Sequence, residues 1–140
     1  MGAGTVAKVS NVWNAIDNHQ KAGKSGAYVP VARESDLLIA LNNYKPGYKN
    51  EFQHHDGTSQ SFLVLKGELT LRTRPGVDQP VTIHKMKEGE CAVMAVGEYY
   101  QLENETQEQL VLYQAKQPTD LVQIHGKEAV NAREHFGDAI

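Results

Sequence analysis

The strongest constraint on the fold is a succession of short apolar runs separated by turn-forming residues. The turns contain Lys-Pro-Gly, His-Asp-Gly, Arg-Pro-Gly-Val-Asp and Lys-Glu-Gly-Glu, in which proline fixes φ and glycine accepts a positive φ. Short strands at a spacing of about 8–12 residues, with no helices between them, predict an antiparallel sandwich or barrel and exclude a parallel α/β sheet. The predicted strands are Ala27–Arg33, Asp36–Asn42, Tyr48–His54, Ser61–Leu65, Glu68–Thr73, Val81–Met86, Cys91–Val96, Tyr99–Leu102 and Gln109–Gln114.

Helical spacing of apolar residues occurs only near the two ends. Val12, Trp13 and Ile16 follow Ser10, which is a suitable N-cap, and predict a short helix up to Gln20. Ala129, Val130, Ala132 and Phe136 predict a second helix within Lys127–Phe136. The predicted divisions are an N-terminal helical arm at 1–24, a barrel at 25–118 and a C-terminal extension with a short helix at 119–140.

Length and charge limit the classes of partner. A chain of 140 residues fits one domain that buries roughly two-thirds of its extended-chain surface. A net charge of -3 gives no broad positive field, so we expect no nucleic-acid partner. No stretch approaches the roughly 20 apolar residues of a membrane span, and the start of the chain has no apolar signal region. We therefore expect no membrane partner.

The single cysteine bears on the compartment. Cys91 cannot form a disulfide within the chain, which fits a reducing cytoplasm. Because it begins the apolar run Cys-Ala-Val-Met-Ala-Val, we expect it to be a small buried residue rather than a nucleophile. The sequence thus predicts a cytoplasmic protein with an inert thiol.

Two adjacent histidines, His54 and His55, stand before a polar turn, Gln60 and an apolar strand that ends at Gly67. These residues resemble the first motif of the cupin superfamily, whose small antiparallel barrels hold a metal ion in the mouth. Six residues separate Gln60 from Gly67 and four separate His55 from Gln60, while Gln53 takes the place of the first histidine of the motif.

The second cupin motif is matched in spacing further along the chain. Its positions are occupied by Gly89, Ala95, Gly97, Tyr100 and Asn104. The resemblance implies an all-β fold, a single antiparallel cupin (jelly-roll) barrel, here with a short helix at each end. It also implies that three of the four metal-ligand positions are substituted, by Gln53 for histidine, Gln60 for glutamate and Tyr100 for histidine.

A closer resemblance is to 3-hydroxyanthranilate 3,4-dioxygenase, a non-haem iron cupin. It is carried by Trp13, Asp17-Asn-His19, Glu34-Ser35-Asp36, His54-His55-Asp56-Gly57 and Val64-Leu65-Lys66-Gly67. In this alignment the ligand histidine is His54 rather than His55. Neighbours in a strand point to opposite faces, so His54 alone, His55 alone, or both with a bulge at Asp56-Gly57 remain the alternatives.

The same resemblance implies that the charged positions of that dioxygenase site are neutral in this chain. Its arginines map near Asn50 and Asn104, and an acidic residue on a late strand maps near Gln114. With Gln53, these residues are the predicted lining of a substrate pocket. The loss of charge indicates chemistry different from that of the dioxygenase.

Three functions are compatible with these residues. The first is a small-molecule enzyme with an atypical divalent metal (Fe, Zn, Ni, Mn or Cu) on His54, His55, Gln60 and Tyr100, with oxygenase- or lyase-like chemistry in which Tyr100 and His55 are catalytic. The second is a non-catalytic cupin that binds a small ligand or a partner without metal. The third is a metal-free isomerase with a histidine base and Tyr100 as acid.

Two further expectations complete the prediction. Sheet edges must be covered or paired, so we expect a homodimer. The remaining histidines, among them His84, are predicted to be surface or capping residues rather than ligands.

Overall fold

The computed structural model describes residues 7–24, 27–118, 121–124 and 129–131, the last two ranges by their main chain. Within them lie one helix and eleven strands. The elements are α1 (Val12–Lys21), β1 (Tyr28–Glu34), β2 (Leu37–Tyr44), β3 (Gln53–His54), β4 (Ser59–Lys66), β5 (Glu68–Arg74), β6 (Thr82–Lys87), β7 (Cys91–Met94), β8 (Tyr99–Glu103), β9 (Leu110–Gln117), β10 (Leu121–Ile124) and β11 (Ala129–Asn131).

The strands form two antiparallel sheets. The five-stranded sheet has the order β1-β2-β9-β4-β7, and the six-stranded sheet has the order β11-β10-β3-β8-β5-β6. Side chains alternate along each strand, so Phe62 and Leu112 of the first sheet pack in one buried cluster with Leu71 and Leu102 of the second. The predicted antiparallel barrel is therefore confirmed.

Helix α1 covers part of the outer face of the five-stranded sheet. Ile16 of the helix packs with Val29, Leu41 and Val111 in a second buried cluster. The N-cap is Asn11, whose side chain accepts hydrogen bonds from the main-chain N–H groups of residues 13 and 14, each at 3.0 Å. The predicted cap at Ser10 is thus one residue too early, since Asn11 is the last residue with an extended backbone.

One predicted strand is too long, and the predicted burial of Cys91 and the described part of the predicted C-terminal helix are wrong. Of the predicted strand Tyr48–His54 only β3 is extended in a ladder, and the residues before it make one isolated bridge, from Lys49 to Glu103. Cys91 is exposed rather than buried, because it lies on β7, at an edge of the five-stranded sheet. Residues 129–131, predicted as helical, form β11.

The C-terminal error has a physical reason. An isolated helix of about ten residues is marginal without tertiary packing, whereas β10 pairs with β3 and offers its other edge to β11. The rest of the predicted helix at 127–136 lies outside the described residues. In the described part of the chain, the one helix is too short and too polar to cross a bilayer.

Gly67, between β4 and β5, is fixed by a close approach of two backbones. Its φ is +87°, and a Cβ built on it would lie 2.4 Å from the main-chain oxygen of Gln109. Gly89, between β6 and β7, has nearly the same φ of +86° but no atom within 4 Å of such a Cβ. Comparing substitutions at Gly67 and Gly89 therefore separates the cost of the positive φ from the cost of steric overlap.

We expect Gly67→Ala to lower the free energy of unfolding by about 2–5 kcal/mol, the sum of left-handed strain and overpacking. Gly89→Ala carries only the strain and should cost about 1–2 kcal/mol. Urea unfolding of both variants beside the wild type measures the difference. Equal losses would show that the approach of Gln109 does not limit residue 67.

Candidate functional site

The two adjacent histidines lie on opposite sides of the barrel wall. His55 is 6% exposed, and its ring faces the interior. The His54 ring packs against the Tyr99 ring, tilted by 34° with ring centroids 4.2 Å apart, and its Nε2 lies 3.2 Å from Oδ1 of Asp56. Of the three alternatives left by the sequence, the structure brings His55 alone to the interior.

His55 meets Tyr100 there. The main chain pairs Gln53 with Tyr100 across β3 and β8, which carries the next inward residue, His55, to the Tyr100 hydroxyl. Nε2 of His55 lies 2.7 Å from Oη of Tyr100, and both side chains are buried. Gln53 is also buried at this place, so three of the predicted site residues lie together.

Burial raises the pKa of Tyr100 above its usual value near 10. The amide of Gln60 acts in the opposite direction, and lowers the pKa by less than burial raises it. The phenol therefore stays protonated at neutral pH and can donate its hydrogen.

Gln60 contributes a buried amide that lies close enough to Tyr100 to lower the pKa of the phenol. It is 3% exposed, on the inner face of β4, and neither its Nε2 nor its Oε1 has a hydrogen-bond partner of normal geometry among the described residues. Leaving a buried polar group unpaired costs about 1–3 kcal/mol, and such groups in folded proteins need an explanation. The amide beside Tyr100 is therefore a candidate ligand-binding position.

Gln114 lies on the inner face of β9, where it pairs with Phe62, two residues along β4 from Gln60. Its Nε2 donates to Oδ1 of Asn42 at 2.5 Å, and Nδ2 of Asn42 donates to the hydroxyl of Tyr44 at 2.9 Å. Oε1 of Gln114 has no partner within the described residues. The predicted pocket residue Gln114 is thus inside the barrel, where Asn42 binds its Nε2 and its Oε1 is available to accept a hydrogen bond.

Asn50 and Asn104 are not part of this cluster. Asn50 accepts a hydrogen bond from the main-chain N–H of Leu102 at 2.8 Å. Asn104 is fully buried, and its Nδ2 donates to the main-chain oxygens of Tyr44 and Glu108 at 3.1 and 2.7 Å. Both side chains satisfy main-chain groups, so the structure gives them a role in holding loops rather than in lining a pocket.

Lys116 is an interior residue that the sequence analysis missed. It is 5% exposed, faces Gln60 directly across β9 and β4, and places its ammonium 5.2 Å from the ring centroid of Tyr28. The predicted strand ended at Gln114, whereas β9 continues to Gln117. Extending the two-residue alternation by one step from Gln114 would have placed Lys116 on the same inner face.

A cavity of about 370 Å³ lies between β5 and β6 on one side and β7 on the other. Thr73 in its wall pairs with Tyr100, and Met94 pairs with Gln60, so the cavity borders the strands that carry the site. His84, although exposed, lines it with Nε2 3.4 Å from Oγ1 of Thr73. The lining residues are Leu71, Thr73, His84, Met86, Cys91, Ala92, Val93, Met94 and Glu98.

The donors that converge do not match a ferrous triad of two histidines and one carboxylate. His55, Gln60 and Tyr100 supply one imidazole, one neutral amide and one phenol whose pKa burial raises. Across residues 7–24 and 27–118 no three His, Cys, Asp or Glu side chains come together in a way that could hold a metal ion.

The raised pKa of Tyr100 has a consequence for stability. Above about pH 10 the unfolded chain loses its phenolic proton while the folded chain keeps it, so the free energy of unfolding falls as pH rises. Tyr100→Phe removes this contribution. The free energy of unfolding of the variant should therefore fall less steeply with pH than that of the wild type, and the two slopes should differ by up to about 1.4 kcal/mol per pH unit. Urea unfolding between about pH 9 and pH 11.5 tests this, and identical slopes would contradict it.

No protein-family model matches the sequence, and no curated protein matches it. Several solved structures do resemble the protein in fold. CapF, a capsular polysaccharide assembling protein from Staphylococcus aureus, has a TM-score of 0.61 and 20% identity over 66% of this chain, and the chain spans only 28% of CapF. The cupin domain of Schizosaccharomyces pombe Cnp3 has a TM-score of 0.58 and 17% identity over 65% of this chain and 63% of that domain.

A third similar structure is Drosophila melanogaster CENP-C bound to CAL1. Its TM-score is 0.59, with 17% identity over 64% of this chain and 68% of the CENP-C chain. At such identities the likeness establishes the fold alone: the chain folds as a cupin β-barrel.

Proposed function

We propose that this protein is a small-molecule enzyme of cupin fold that moves a proton within a carbonyl substrate. The observation that carries the proposal is the contact of 2.7 Å between Nε2 of His55 and Oη of Tyr100 inside the barrel. A histidine imidazole and a tyrosine phenol can act together as a general base and a general acid.

The proton transfers balance without an oxidant or reductant. His55 Nε2 takes a proton from the carbon beside the substrate carbonyl, and the electron pair of that C–H bond becomes the C=C bond of an enol. The carbonyl oxygen takes the proton of Tyr100 as its charge develops. Return of a proton from the His55 imidazolium to the same carbon, at either face, and of the enol O–H proton to Tyr100 restores the carbonyl, and both residues recover their starting states.

Two features of the interior support this chemistry. Burial raises the pKa of Tyr100, so the phenol carries the proton that it must donate. The neighbouring amide of Gln60 makes no hydrogen bond of normal geometry with the described residues, so a substrate group can bind to it. A cavity of about 370 Å³, large enough for a small molecule, borders the strands that pair with Tyr100 and Gln60, although neither residue lines it.

Exchange of substrate protons in heavy water tests the proposal. We expect wild-type protein to exchange the enolisable protons of at least one member of a panel of small ketones, aldehydes and keto acids, observed by NMR. His55→Gln and Tyr100→Phe should lower the rate by roughly 10²–10⁴, the usual contribution of general acid–base catalysis.

His54→Gln is the matched control, because His54 lies outside the interior beside Asp56. It should keep the wild-type exchange rate. A panel with no exchange above the uncatalysed rate, or equal losses in both histidine variants, would overturn the proposal.

A second candidate is a divalent metal ion, of the series Fe, Zn, Ni, Mn or Cu, on His55, Gln60 and Tyr100. It is favoured by the convergence of three donor-bearing side chains from separate strands or strand ends. Oxygenase- or lyase-like chemistry belongs to this candidate, as does the resemblance to 3-hydroxyanthranilate 3,4-dioxygenase, which stays a prediction.

Chelation separates the two candidates. Under the proton-transfer proposal, dialysis of untagged protein against a chelator leaves both the melting temperature and the exchange rate unchanged. Loss of activity that returns on adding one metal would establish the metal candidate instead. Gln60→Glu supplies the missing carboxylate and is expected to raise the affinity for Zn²⁺ by at least about tenfold, a positive control for metal detection.

A third candidate is a cupin that binds a partner or ligand without catalysis. CENP-C is described as bound to CAL1, and this chain exposes Ile83 and Val93, 57% and 80% accessible, on edge strands β6 and β7. The same edges motivate the homodimer, which light scattering can test. The dimer and the cytoplasmic location stay predictions.

A further inference from the structure

Two buried amides inside the barrel have polar atoms without a hydrogen-bond partner. Gln60 on β4 and Gln114 on β9 are each 3% exposed. Neither end of the Gln60 amide has a partner of normal geometry among the described residues, and Oε1 of Gln114 has none there either. Such groups are rare in folded proteins, and a bound polar molecule is one explanation for them.

The register of β4 and β9 brings the two amides close together. Gln60 pairs with Lys116 and Phe62 pairs with Gln114, so the two glutamines are diagonal neighbours on one inner face. Diagonal neighbours in an antiparallel pair are about 7–8 Å apart, which is within reach of long side chains. One small group can therefore contact both amides.

This part of the interior adjoins Tyr100. The Gln60 amide acts on the pKa of the Tyr100 phenol. The ring of Phe62, which pairs with Gln114, has its centroid 5.7 Å from that of the Tyr100 ring. Nε2 of Gln114 already donates to Asn42, so the end of this amide that is available to a ligand is its oxygen.

A hydroxyl group matches the two amides. Oε1 of Gln114 requires a donor and Nε2 of Gln60 requires an acceptor, and a hydroxyl is both at once. A carbonyl, ether or carboxylate oxygen can only accept, which leaves Oε1 of Gln114 unpaired. An ammonium group can only donate, which leaves Nε2 of Gln60 unpaired.

We propose that Gln60 and Gln114 form a hydroxyl-binding subsite and that the substrate is therefore a hydroxy ketone or hydroxy aldehyde. The assignment of the substrate rests on the proposed function, in which the carbonyl oxygen takes the proton of Tyr100. Because Gln60 neighbours Tyr100, the hydroxyl and the carbonyl oxygen lie close together, as they do on adjacent carbon atoms.

Hydroxyacetone and butanone are the matched probes, since butanone has a methyl group in the place of the hydroxyl. We expect wild-type protein to bind hydroxyacetone at least about threefold more tightly than butanone in NMR titrations, because only the hydroxyl makes net hydrogen bonds to the amides.

Gln114→Met and Gln60→Met remove the amides at nearly constant side-chain length, and each should abolish this preference. Gln117→Met is the matched control, because it makes the same change at an exposed residue of β9. It should retain the preference.

The comparison of the two probes on wild-type protein needs no variant, and cooperative urea unfolding checks that the two interior variants are folded. Tyr100→Phe should keep the preference for hydroxyacetone while losing proton exchange, because both probes have the same carbonyl group. This variant separates the subsite from catalysis.

The outcomes are distinguishable. No binding of hydroxyacetone, equal affinity for the two probes, or a preference that survives Gln114→Met and Gln60→Met overturns the subsite even if proton exchange is found. Equal affinity is also the result expected if an ordered water binds the two amides. A preference that depends on both glutamines supports the subsite, and if exchange is absent at the same time, only the proton-transfer proposal fails.

Discussion

The alternation of side chains along antiparallel strands is the constraint on which this structure depends. It sends Gln60, Gln114 and Lys116 into the barrel, and it places His55 inside while His54 stays in the outer layer. A shift of one residue in any of these strands would exchange the inner and outer sets. The identity of the site is therefore fixed by strand register, which in turn depends on tight connections such as the one at Gly67.

Much of the fold could be predicted from the sequence because local signals agree with it. Turn-forming residues and the two-residue period gave the number and order of the central strands, and both are local properties. The errors arose where tertiary contacts, rather than the local sequence, determine the secondary structure. Residues 49–52 have strand-like composition but make a single bridge, and 129–131 form a strand because β10 offers them an edge.

The site was predictable only in part, for a similar reason. His55, Gln60 and Tyr100 have the spacing of known motifs, and the structure brings them together. Asn50 and Asn104 align near site residues of the dioxygenase that the sequence resembles, yet their amides are used by main-chain groups, which an alignment cannot reveal. Lys116 was overlooked because charged residues are almost never fully buried unless paired, so its polarity suggested the end of a strand.

The cavity beside the site lies between β6 and β7, which are the edge strands of the two different sheets. The wall of the barrel is thus interrupted at a seam, and the seam borders the strand that pairs with Tyr100 and the strand that pairs with Gln60. Any chain that added a strand to β6 or β7 would cover this seam. Association through those edges and a small molecule in the cavity would then compete for one surface of the protein.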